Sequence, residues 1–74
     1  MTNEELSFAM DRIGMTSADL SRIIRRTPRA VENWRSGASP VPGSIAIVIE
    51  AMLKGELSIS WVIEYANRYE KVAN

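Results

Sequence analysis

Three threonines set the terms on which this chain can fold. Thr2 stands three residues before Glu5, and Thr16 three residues before Asp19. In each pair the hydroxyl can accept from a first-turn amide while the carboxylate reaches back to the threonine's own amide, the reciprocal bonds of a capping box. Thr27 is followed by Pro28, whose missing donor and fixed φ suit the first helical position. Gly14 and Gly37 supply left-handed stops. These starts and stops lie so close together that only short helices fit between them.

The apolar positions agree with that division. Leu6, Ala9, Met10 and Ile13 recur at helical spacing in the first segment. The second is expected over about Ser17–Arg25, with Leu20, Ile23 and Ile24 inward and Met15 against Leu20 as a hydrophobic staple. Val31 and Trp34 share a face of the third. The stretch Gly37–Gly43 holds two prolines and reads as a stiffened connection. Ile45–Ile49 could pass for a buried strand, but its continuation to Leu53 and a Lys54-Gly55 stop favours a largely buried helix. The last helix is expected near 58–71, and its apolar residues cover more than one face. One face can complete a core, and a second copy of the chain is the simplest cover for the rest. The reading is all-α, five helices in a single domain spanning residues 1–74. A chain of 74 residues buries only about 60% of its unfolded surface, so oligomerisation would help it.

Composition removes most chemistry. The sequence has no cysteine and no histidine, hence no disulfide, no thiol nucleophile and no usual general base or metal ligand. No metal, no cofactor and no enzymatic activity are expected. The apolar run Val41–Ile49 is broken by Pro42 and Gly43 and is too short to span a bilayer. With no leader-like segment, the expectation is a cytoplasmic protein without membrane attachment. Nine basic and nine acidic residues cancel overall. Between residues 22 and 35, however, five arginines face Glu32 alone, while the remainder holds four basic and eight acidic residues. A basic segment therefore lies inside an acidic frame, and a local patch matters more for specific nucleic-acid binding than the total.

That segment falls on the helix pair at about 17–36, two short helices separated by a tight turn, the arrangement that sets a second helix into the DNA major groove. Ser21, Ile24, Thr27, Val31 and Trp34, with the run Thr27–Gly37 and the following Ser39-Pro40-Val41-Pro42, resemble the lambda-repressor/Cro-like (XRE-type) helix-turn-helix family. The likeness covers roughly residues 3–55. It looks like small phage and prophage regulators of this family and is also similar to the anti-CRISPR-associated repressors. The resemblance implies a compact lambda-repressor-like domain and a transcriptional repressor of its own operon. Arg25 stands where that family usually has glycine, and Arg26 where it has an apolar residue. An arginine at positive φ costs on the order of 1 kcal/mol. The second helix is therefore expected to run one residue further, with a locally different turn.

The first turn of the third helix presents Pro28, Arg29, Glu32 and Asn33 away from Val31 and Trp34, as the base-facing set. Arg29 can bond bidentately to guanine, Asn33 can pair with adenine, and Glu32 can accept from cytosine or orient Arg29 from three positions away. Thr16, Ser17, Arg22, Arg26, Thr27, Arg35 and Ser36 are the candidate phosphate contacts. Trp61, Val62, Tyr65, Ala66 and Tyr69 form the candidate dimer interface. The expected partners are an inverted-repeat DNA duplex and a second copy of the chain. Two other readings stay open: an antitoxin whose last helix grips a toxin, and an interaction adaptor that binds no DNA. Each candidate also has a structural explanation, as a helix cap, a solvated face or core packing.

Overall fold

A computed structural model describes the backbone of residues 1–73 and the side chains of residues 1–68. Five helices follow one another, α1 (Asn3–Ile13), α2 (Ser17–Ile24), α3 (Pro28–Ser36), α4 (Gly43–Leu53) and α5 (Ile59–Ala73), with no strand among the described residues.

Each of the first three helices begins on its threonine. The Thr2 and Thr16 hydroxyls accept from Glu5 N and Asp19 N, both at 3.1 Å, and the acidic side chains accept from the threonine amides. Both capping boxes are therefore closed. Thr27 Oγ1 accepts from Ala30 N at 3.2 Å, with Pro28 opening the helix. Such caps are each worth about 1 kcal/mol, a large fraction of the stability of a short helix.

One boundary differs from expectation. α2 stops at Ile24, and Arg25 takes the left-handed conformation, φ 59 and ψ 41, in place of a further helical turn. The Arg26 amide then reaches the Ser21 carbonyl at 3.0 Å, the long bond of a Schellman closure. The turn allows α3 to fold back so that Val31 and Trp34 enter the core. Burying two such side chains is worth about 1.5–3 kcal/mol each, which outweighs the roughly 1 kcal/mol of backbone strain at Arg25.

α4 is buried or half-buried over most of its length, with an open strip that includes Ile47 and Glu50. Ile45, Ile49 and Met52 line its inner face, while Ile47 is 71% exposed. No side chain caps its start, and Ile45 N and Ala46 N instead donate to the Pro42 carbonyl. α5 is preceded by Ser58, whose hydroxyl accepts from Trp61 N at 3.2 Å.

The core gathers Leu6, Ala9 and Met10 of α1, Leu20 of α2, Val31 and Trp34 of α3, the inner face of α4, and Val62 of α5, with Met15 beneath the first turn. α1 packs on α3 and α4, and α2 packs on α3 and α5. The α2–α3 pair is thus braced from behind by α1 on one side and α5 on the other. No helix among the described residues is long and apolar enough to cross a membrane.

Candidate nucleic-acid interface

α3 is held by its back. Val31 is fully buried and Trp34 nearly so, which turns Pro28, Arg29 and Glu32 outward and leaves Asn33 half-buried between the faces. The Arg29 and Glu32 side chains make neither a hydrogen bond nor an ion pair among the described residues, so Glu32 does not hold Arg29 in this structure. Both side chains are exposed to water.

Arg22 and Arg26 are exposed. Arg26 lies over the Trp34 ring, 5.7 Å from its centroid. Such cation–π contact at an exposed site is worth about 0.5–1 kcal/mol and leaves the edge donors of the guanidinium open. The Thr16 and Thr27 hydroxyl oxygens accept from the first turns of α2 and α3, and both residues are exposed. Their hydroxyl protons remain able to donate. α3 carries no acidic residue in its first turn, whereas α2 carries Asp19. The positive end of the α3 dipole is therefore not locally neutralised.

Three expected phosphate contacts are turned elsewhere. Ser17 is 9% exposed, and its hydroxyl accepts from Arg35 Nη1 at 3.2 Å. Arg35 points inward: Nε donates to Ser7 Oγ at 3.2 Å and Nη2 to Asp11 Oδ1 at 3.4 Å. Its side chain is 25% exposed. Asn3 Nδ2 in turn donates to the Arg35 carbonyl at 3.3 Å. The Ser36 hydroxyl donates to the Asn33 carbonyl and accepts from Ala38 N, closing the C-terminal end of α3. Its one proton is committed, and that helix end carries partial negative charge, which disfavours phosphate. Ser7, Asp11 and Asn3 were invisible as partners because nothing local in the sequence joins them to Arg35.

On α5, Trp61 and Tyr65 stack at a centroid separation of 5.3 Å and are each about half exposed. They line an apolar groove of about 270 Å³ against α2, together with Ile23 and Ala66, with Arg22 and Arg25 also bordering it. Val62 belongs to the core cluster, so it is largely taken up within the protomer and offers little to a second chain. The Tyr69 side chain lies outside the described residues. Phe8 and Ile47 are further exposed apolar side chains for which the sequence reading had no role.

Comparison with protein-family models, with curated proteins and with solved structures finds no match.

Proposed function

We propose that this chain is a sequence-specific DNA-binding repressor, with α2 and α3 acting as a helix-turn-helix and α3 as the reader. The observation that carries this reading is the state of Arg29 and Glu32. Both stand unpaired and exposed on the outward face of a helix whose opposite face is locked by Val31 and Trp34. Arg29 is the principal base reader, Glu32 and Asn33 contribute according to sequence context, and Pro28 contributes apolar contact. Arg22, Arg26, Thr16 and Thr27 position the helix on phosphates. The chain is no enzyme in this reading, needs no cofactor, and works in the cytoplasm by occupying an operator. Its own promoter is the simplest operator, as for the small phage regulators that the sequence resembles, anti-CRISPR-associated ones among them.

The Trp61–Tyr65 stack supports a homodimer through α5, which would place two reader helices roughly 34 Å apart on an inverted repeat. The same exposed aromatics favour one competing reading, in which α5 receives a different protein, as in an antitoxin.

Selection from a randomised duplex library, followed by salt titration of the winning sequence, tests the proposal. An enriched inverted repeat whose affinity falls steeply with salt is expected. Weak, sequence-blind retention would refute it. Trp61→Ala with Tyr65→Ala should yield a monomer by analytical ultracentrifugation. A monomeric wild type would remove the dimer from the proposal.

A further inference from the structure

The turn Arg25–Thr27 joins α2 and α3 at one end, and nothing covalent fixes their angle at the other. Arg35, in the last turn of α3, supplies that missing side. Its Nη1 spans to Ser17, the first residue of α2, while Nε and Nη2 fix the same guanidinium to Ser7 and Asp11 of α1. Asn3 of α1 holds the carbonyl of the same residue. Three separate donors of one planar group thus engage three acceptors on two other helices, which a lysine ammonium on a flexible stem cannot reproduce. The positive charge of Arg35 is met by Asp11 within the protein.

We propose that Arg35 is a positioning residue for DNA reading. It closes the open end of the α2–α3 pair and so sets the angle at which Arg29 meets the bases when the α2 N-terminus rests on the backbone. The inference rests on the DNA-reading proposal above. It gives one arginine of the basic segment a role unlike that of Arg22 and Arg26, acting on specificity and not through charge.

The test compares wild type, Arg35→Ala, Arg35→Lys and Ser17→Ala. A positioning role predicts that Arg35→Ala and Arg35→Lys both narrow the ratio of operator to random-duplex affinity by about tenfold, the scale of one mismatched base pair. The slope of log affinity against log salt should stay at the wild-type value. Ser17→Ala, which removes a single arm, should narrow the ratio in the same direction and covers the case in which Arg35→Ala does not fold. A phosphate contact predicts the reverse: a slope shallower by about 0.9, equal losses on both duplexes, and rescue by Arg35→Lys. That pattern would overturn the proposal. A DNA-free arm separates the two proposals: residual dipolar couplings report the α2–α3 angle of each variant. If wild type selects no sequence, the repressor reading fails by itself. An angle unchanged in Arg35→Lys and Ser17→Ala overturns the positioning role whatever the DNA result.

Discussion

Gly14 and Arg25 close consecutive helices with nearly the same backbone, φ 73 and ψ 32 at the glycine and φ 59 and ψ 41 at the arginine. In both, the following amide reaches back five residues, Met15 to Met10 at 2.9 Å and Arg26 to Ser21 at 3.0 Å. The first helix ends on a residue suited to that conformation, the second on one that pays for its Cβ.

Arg25→Gly is therefore expected to stabilise the fold by about 0.5–1 kcal/mol, against the usual rule that glycine weakens a helical protein. For a domain of this size the midpoint of thermal unfolding should rise by roughly 2–8 °C. Circular dichroism melting of the two proteins decides it, and a lower midpoint would show that the arginine side chain contributes more than its backbone costs.

Ile47 and Ile49 lie two residues apart on α4 and should respond very unequally to truncation. Ile49 is fully buried, and Ile49→Ala should cost about 2–5 kcal/mol. Total stability at roughly 0.05–0.15 kcal/mol per residue makes that loss close to disabling. Ile47 is 71% exposed, and Ile47→Ala should stay within about 0.5 kcal/mol. Urea titrations of both variants provide the comparison.

Arg29→Ala should cost about 1–3 kcal/mol on the selected operator and relax preference at one base position. Arg22→Ala should weaken selected and random duplexes alike and make the salt slope shallower by about 1. Fluorescence anisotropy at several salt concentrations reads both quantities. Equal losses on both duplexes for Arg29→Ala would remove it from the base-reading set.

The capping box of α1 should weaken in acid. Hydrogen bonds from the Thr2 backbone, then from its side chain, hold the Glu5 carboxyl below the ordinary glutamate range. A carboxyl whose folded pKa is lowered contributes stability above its unfolded pKa, and that contribution is lost as pH falls through the folded value. NMR titration of the Glu5 carboxyl should show the lowered midpoint. Thr2→Gly, which removes the side-chain bond and frees the backbone, should move the midpoint up toward the ordinary value.

What could be read along the chain was local. Thr2 with Glu5, Thr16 with Asp19, and Thr27 with Pro28 act within one helical turn, so the starts of three helices followed from spacing, and the length of the apolar run to the Lys54-Gly55 stop chose helix over strand for Ile45–Leu53. The outward face of α3 was legible too, because Val31 and Trp34 fall three apart and define its opposite. What the residues near one another could not settle was everything that depends on a competing energy elsewhere. Arg25 accepts a strained backbone because Val31 and Trp34 gain burial only if the chain turns there. Ile47 faces water because α1 covers one side of α4. Ser17 and Arg35 were read as surface contacts because each is polar beside a helix end. The tertiary structure brings them together across residues remote in sequence, where a buried hydroxyl and a guanidinium satisfy each other's hydrogen bonds. Periodicity and capping are properties of neighbouring residues, and they determined the helices. Burial and pairing are properties of the packed whole, and only the fold decided which arginines face outward.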